Sequence, residues 1–356
     1  MKLPDFPWDA LAPYGEKARA HSHGLIDLSI GTPVDDVPKF VQEELAKSTN
    51  TPGYPKTIGT DELRSAMREW AIKNLGVKGE FDVLPVIGSK ELVAWLPTIL
   101  ESQKVIYPKI AYPTYLVGSL IAKAEPIEVD IDPTNWPKAD LAWINSPSNP
   151  TGRVHSESEL AAVIDYGRKT GAVIASDECY LNFPAGDEIP VSILQVANGN
   201  NKNLVAVHSM SKRSNMAGYR AALIVGDKDL IAKIREIRKH AGMMVPQPIQ
   251  KALTVALQDE SHVKVQADKY AKRRKQLQPA LEKAGFKVEF SNAGLYIWCT
   301  RDESSWDSVS WLSDLGILVA PGSFYGPAGE KHIRIALTAK DDAITEAAQR
   351  ITSAVK

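Results

Sequence analysis

Between about residues 80 and 226 the apolar positions gather into short runs without alternation. A loop follows each run, and then a stretch in which apolar residues return every three to four positions. The runs are DVLPVI, KVIYP, PIEVDI, LAWINS, AVIASD, NLVAVH and AALIVG. Unbroken apolar character over so few residues is what a strand covered on both faces requires, and intervening segments such as SESELAAVIDYGRKTG have helix spacing. The pattern predicts an α/β core: a mostly parallel seven-stranded sheet flanked by helices. In such sheets ligands bind beyond the carboxyl ends of the strands, so chemistry is expected just after each run.

From about 228 to 285 the spacing is helical, through DLIAKIREIRKHAG and SHVKVQADKYAKRRKQLQPALEKAG, and reads as a long connector. After Phe286, KVEF, GLYIWCT, GILVAPG and HIRIALT read as short strands with helix-like pieces between them, which suits a smaller α+β domain. The expected division is a large domain over residues 40–250 and a small one assembled from residues 1–39 together with 251–356.

Composition narrows the function classes. Over 356 residues, 42 Lys+Arg stand against 43 Asp+Glu, so no basic surface invites nucleic acid. The one dense basic run, Lys272-Arg273-Arg274-Lys275, reads as a solvated helix face. Cys179 and Cys299 are too few for a disulfide framework or a thiolate metal site and read as core thiols. His21 and His23 read as surface loop, and no metal is expected. No stretch approaches a membrane span or a signal peptide, so the expectation is a cytoplasmic chain with no membrane partner. The glycine fingerprint of dinucleotide binding, the phosphate loop of nucleotide hydrolases, H-E-x-x-H and G-x-S-x-G are all absent.

The strand ends carry a coherent set instead. In order they are Gly88-Ser89-Lys90-Glu91, Tyr112-Pro113-Thr114-Tyr115, Ser146-Pro147-Ser148-Asn149-Pro150-Thr151-Gly152, Asp177-Glu178-Cys179-Tyr180 and Ser209-Met210-Ser211-Lys212, with Arg220 eight residues on. Singly, each has a plain explanation as a turn, a cap or a surface charge. Together they supply a lysine, an acid, an anion cup and an aromatic face, which is what pyridoxal phosphate needs from a protein.

On S-x-S-K-x7-R and N-P-T-G in this order, the chain resembles the fold-type I, pyridoxal-phosphate-dependent class I/II aminotransferases over nearly its whole length. The resemblance implies Lys212 as Schiff-base lysine and proton carrier, and Asp177 as the partner of the pyridine nitrogen. It implies Asn149 and Tyr180 on the ring oxygen, and Tyr112 stacked on the ring with Tyr115 as a helper. Ser89, Lys90, Ser209 and Arg220 would form the phosphate cup. Tyr54 would reach the phosphate of a neighbouring subunit, which makes a homodimer with shared sites the expected unit. Arg334 in HIRIALT would clamp the substrate α-carboxylate, and the missing side chain of Gly31 would let substrate approach.

Segments such as GYPKTIGTDELRSAM, HSMSKRSNMAGYRAA and HAGMMVPQPIQ are most similar to actinobacterial N-succinyldiaminopimelate aminotransferases. That likeness implies glutamate as amino donor, N-succinyl-2-amino-6-oxopimelate as acceptor and a place in lysine biosynthesis. The distal carboxylates of such an acceptor would want cationic or amide partners, with Arg213, Lys90, Lys56 and Met243-Met244 as candidates. The alternatives within the fold are another aminotransferase or a cysteine-sulfur β-lyase. A pyridoxal-phosphate-sensing regulator is disfavoured because no basic helix-turn-helix extension precedes the match.

Overall fold

The protein is described by a computed structural model over residues 3–355. Its strands are β1 (Ile26–Asp27), β2 (Asp82–Val86), β3 (Lys104–Pro108), β4 (Glu125–Val129), β5 (Leu141–Asn145), β6 (Val173–Asp177), β7 (Leu204–Ser209), β8 (Ala222–Gly226), β9 (Lys287–Val288), β10 (Tyr296–Thr300), β11 (Ile317–Leu318), β12 (Ala320–Pro321) and β13 (His332–Ala336). The seven apolar runs become β2 to β8, which form one sheet in the order β2-β8-β7-β6-β5-β3-β4. β8 runs antiparallel to both its neighbours and every other pairing is parallel. The reversal at β8 follows from its short connection to β7. Residues 210–221 hold only the one-turn helix Met210–Arg213 and a 3-10 turn, too little chain for a crossover.

Successive residues of each strand serve opposite cores. Ala142, Ile144, Ile174, Ala206 and Val225 face one layer of helices, while Leu141, Trp143, Ala175, Val207 and Ile224 face the other. The helix Glu157–Thr170 shows how the local sequence sets its ends. Ser156 and Glu159 form a reciprocal capping box, and Gly171 stops the helix at φ 82°.

β12-β13-β10-β9 form an antiparallel sheet over a third core, which draws on both chain ends through Leu28, Leu277, Ile297, Leu312 and Ile335. β1 pairs in parallel with β11 in a separate two-stranded sheet over the same core, which ties residues near the N-terminus to the C-terminal part of the chain. Between them the helices Lys228–His240, Gln247–Gln258 and Ser261–Lys283 fill the expected helical stretch. No helix among the described residues is long and apolar enough to cross a membrane.

The basic run on the last of these helices departs from expectation. Arg273 and Arg274 are buried: Arg273 pairs with Asp35 and Asp341, and Arg274 donates to the backbone oxygens of Gly294 and Tyr296. Only Lys272 and Lys275 lie on the outer side of the helix, because a continuous run of four covers more than one face.

Candidate active site

A cavity of about 370 Å3 opens at the carboxyl ends of β5, β6 and β7, whose last residues Asn145, Asp177 and Ser209 all line it. Ser89 and Lys90 come from the start of the helix Ser89–Ile99 that follows β2, and Tyr112 comes from the loop after β3. The small sheet contributes Tyr296 and Arg334, and the N-terminal segment contributes Phe6, Trp8, Ile30, Gly31 and Thr32. The structure therefore brings Gly31, Ser89, Lys90, Tyr112, Asn149, Asp177, Tyr180, Ser209, Lys212, Arg220 and Arg334 into one pocket. Tyr54 stands outside it, 96% exposed.

Lys212 sits in the one-turn helix after β7 and points its amine at the backbone oxygen of Gly31. Burial, with Arg334 as a neighbouring cation, lowers its pKa from 10.5 to about 8. About a tenth of such an amine is unprotonated at pH 7, several hundredfold more than for a free lysine, and the unprotonated form is the one that acts as nucleophile and proton acceptor.

Asp177 is held from two sides. Tyr115 donates its hydroxyl to Oδ2 at 2.9 Å, and the Cys179 backbone N–H donates to Oδ1 at 3.3 Å. These donors favour the carboxylate, yet burial outweighs them and pushes the pKa up. A facing cation would reverse that balance. Asn145 braces the same corner: its amide donates to the backbone oxygens of Asp177 at 2.8 Å and Pro147 at 3.1 Å, while its Oδ1 accepts from the Asn149 N–H at 2.7 Å.

Arg334, 3% exposed, donates from Nη1 to Asn149 Oδ1 at 3.0 Å and from Nη2 to the Ser29 backbone oxygen at 2.6 Å. Its Nε is buried without a partner. The guanidinium lies 4.2 Å from the ring centre of Tyr296 and 5.0 Å from that of Tyr325.

The side of the cavity near Ser89 is built for an anion. Gly88 precedes the helix at φ 76°, and a Cβ there would lie 2.3 Å from Arg220 Nη2, so the absent side chain is what lets the guanidinium reach the helix N-terminus. Arg220 is itself left-handed, at φ 54°, and Nη1 donates to the Ala217 backbone oxygen at 2.8 Å.

Four sequence expectations are corrected by the geometry. The space above Gly31 is taken by Tyr296, because a Cβ would sit 2.1 Å from its hydroxyl; the glycine accommodates a protein side chain. Arg213 is not a pocket wall but lies buried against Glu260 and the Ala256 backbone oxygen. Lys56 and Met244 line a separate surface recess with Arg235 and Lys239. Cys299 is a core thiol as expected, whereas Cys179 lines the pocket beside Asp177, and burial pushes its thiol pKa well up.

Sequence reasoning missed Asn145, Tyr296, Phe6 and Trp8. Asn145 alone had a readable signal, a polar side chain ending an apolar strand one residue before the Ser-Pro turn.

A buried low-pKa amine, a buried carboxyl lacking a cation, and serine and arginine donors at a helix N-terminus fit pyridoxal phosphate in charge and in position. The arrangement is that of a fold-type I, pyridoxal-phosphate-dependent transferase. Residues 23–351 match the family described as aminotransferase class I and II, and the chain belongs to it. It is 48% identical to a 4-dedimethylamino-4-oxo-anhydrotetracycline transaminase of Streptomyces rimosus, over 99% of each chain. It is 33% identical to an LL-diaminopimelate aminotransferase of Dehalococcoides mccartyi, over 96% of this chain and 94% of that one. Among solved structures, a probable N-succinyldiaminopimelate aminotransferase from Thermus thermophilus superposes with a TM-score of 0.89 at 25% identity, covering 98% of this chain and all of the other.

Proposed function

We propose that this aminotransferase moves the amino group of glutamate to an oxo-acid in two half-reactions at one pocket, with N-succinyl-2-amino-6-oxopimelate as acceptor in lysine biosynthesis. The observation that carries the transfer chemistry is the convergence of the Lys212 amine, Asp177 and Arg334 on a single cavity. Bound pyridoxal phosphate supplies an aldehyde that exchanges amino groups and a ring that takes up the electron pair left at Cα.

The chain's own residues do the rest. Lys212 Nζ would hold the cofactor through its aldehyde carbon and, once the substrate amine takes that place, would be free to move a proton between the substrate Cα and the cofactor's C4′. Asp177 faces the ring nitrogen and keeps it protonated. Asn149 and Tyr180 donate to the ring oxygen, and Tyr112 covers one ring face. Ser89, Lys90, Ser209 and Arg220 hold the phosphate. Arg334, which lines the cavity, holds the α-carboxylate. The exposed Tyr54 is assigned to the phosphate of a second subunit, so the working unit is a cytoplasmic homodimer. The large domain, residues 40–250, carries the cofactor, and residues 1–39 with 251–356 form the small domain; the separate cores support this division except at the helix Gln247–Gln258, whose Ala252, Leu253, Ala256 and Leu257 pack in a large-domain core.

The acceptor assignment is supported by likeness in the segments noted above and by the exposed Lys90, whose backbone N–H serves the phosphate while its side-chain cation stays free for a distal carboxylate. A second reading has its own support. Phe6, Trp8 and Ile30 line the cavity without an assigned cofactor contact, and their apolar surface would suit a bulky aromatic ketone such as the one named for the Streptomyces relative. A panel of acceptors with glutamate as donor decides between them. The first reading expects the succinylated oxopimelate to be aminated with the highest kcat/KM. Preference for a polycyclic ketone would replace it, and pyruvate release from cystathionine without amino transfer would overturn both.

A further inference from the structure

Tyr180 and Tyr296 face each other in the buried wall of the pocket, with hydroxyl oxygens 3.1 Å apart and rings edge to face at 69°. Both are nearly solvent-free. A phenol has one hydrogen to donate. If the Tyr180 hydrogen goes to the cofactor's ring oxygen, the hydrogen in the Tyr180–Tyr296 contact must come from Tyr296.

Tyr296 is fixed on every side. Its hydroxyl fills the space over Gly31, its ring face carries the Arg334 guanidinium at 4.2 Å, and its backbone oxygen accepts from Arg274 at 2.9 Å. Each neighbour comes from a different part of the chain, so the hydroxyl is left with one position. That position is within reach of Tyr180 and of no other hydroxyl partner among the described residues.

We propose that Tyr296 is a positioning residue: its O–H donates to the Tyr180 oxygen and thereby aims the Tyr180 proton into the pocket, at the cofactor's ring oxygen. The proposal rests on the assignment of Tyr180 made above and adds a residue that acts only through it. Donation to the ring oxygen stabilises the deprotonated chromophore and lowers the pH at which it titrates. Weakening the donor raises that pH.

The test is a pH titration of the visible absorbance of the holoenzyme, read alongside thermal melting to confirm folding. Tyr180→Phe is expected to raise the midpoint by a pH unit or so, and Tyr296→Phe by roughly half that, as expected for the loss of a hydrogen bond made at one remove. In the double variant the midpoint should equal that of Tyr180→Phe alone, because Tyr296 has nothing left to orient. Gly31→Ala, which pushes the Tyr296 hydroxyl aside without deleting it, should shift the midpoint upward too, but not in the Tyr180→Phe background; it carries the test if Tyr296→Phe does not fold. No shift in Tyr180→Phe would overturn the Tyr180 assignment itself. A shift there with none in Tyr296→Phe, or shifts that simply add in the double variant, would overturn the role of Tyr296.

Discussion

Tyr115 donates its hydroxyl hydrogen to Asp177 Oδ2 across 2.9 Å, in a place that solvent does not reach. The phenol ring is stacked on Trp143 at 5.1 Å, so the donor cannot swing away. Burial already pushes the Asp177 pKa up, and Tyr115 is one of the groups that hold it down. Tyr115→Phe should let it rise. Hydrogen bonds to charged groups contribute about 1.5–3 kcal/mol, so kcat/KM should fall about ten- to a hundredfold, and its acid limb should move to higher pH. An unchanged pH profile would mean that Asp177 does not depend on this donor.

Gly88→Ala should cost cofactor affinity more than it costs stability. The new Cβ meets the far end of the Arg220 side chain, which can withdraw, and withdrawal takes the guanidinium away from the phosphate cup. The strain of φ 76° on alanine adds about 1 kcal/mol. The expected result is a rise of about tenfold or more in the Kd for pyridoxal phosphate with a small fall in Tm. A variant that binds the cofactor as tightly as wild type would show that Arg220 does not need this approach.

Lys212 gives the cofactor-free chain a specific pH dependence. Its pKa is about 8 in the folded protein against 10.5 for a free lysine. Between those values the unfolded chain binds more protons, so stability rises with pH across the window, and below pH 8 the full penalty of charging a buried amine is present. Lys212→Met removes the titration. Melting curves of the two cofactor-free proteins from pH 7 to 10.5 should converge in favour of wild type as pH rises, whereas parallel curves would contradict the depressed pKa.

Arg334→Lys should weaken both half-reactions together. The guanidinium already uses Nη1 and Nη2 to hold Asn149 and Ser29, and a lysine can neither span those partners nor present a fork to a carboxylate. KM for glutamate and for the acceptor should each rise about tenfold or more. Loss confined to one substrate would mean that the two do not share the clamp.

How far the site was legible in the sequence follows from where its partners lie. Asp177, Ser209 and Lys212 end or follow apolar runs, and the strand pattern alone locates such residues. Tyr296 opens the apolar run of β10 and reads as core until the fold sets its hydroxyl against Tyr180, more than a hundred residues away. Gly31 lines the pocket, but that its missing side chain makes room for Tyr296 is invisible in the sequence, since this neighbour too is distant in the chain. The Lys272–Lys275 run failed for the opposite reason. Charge was read as exposure, but Arg273 and Arg274 are compensated inside by Asp35 and by backbone oxygens that local pattern does not reveal.

The bidentate pair between Arg273 and Asp35, two contacts of 2.8 Å, makes the pocket mechanically simpler than its many contributing segments suggest. Asp35 belongs to the same loop as Gly31, and Arg273 is in the middle of the helix Ser261–Lys283, which also grips the backbone of Tyr296 through Arg274. One helix therefore fastens both sides of the wall above Lys212, the Gly31 loop through Arg273 and β10 through Arg274, so neighbouring residues of a single turn hold segments that lie far apart in the chain.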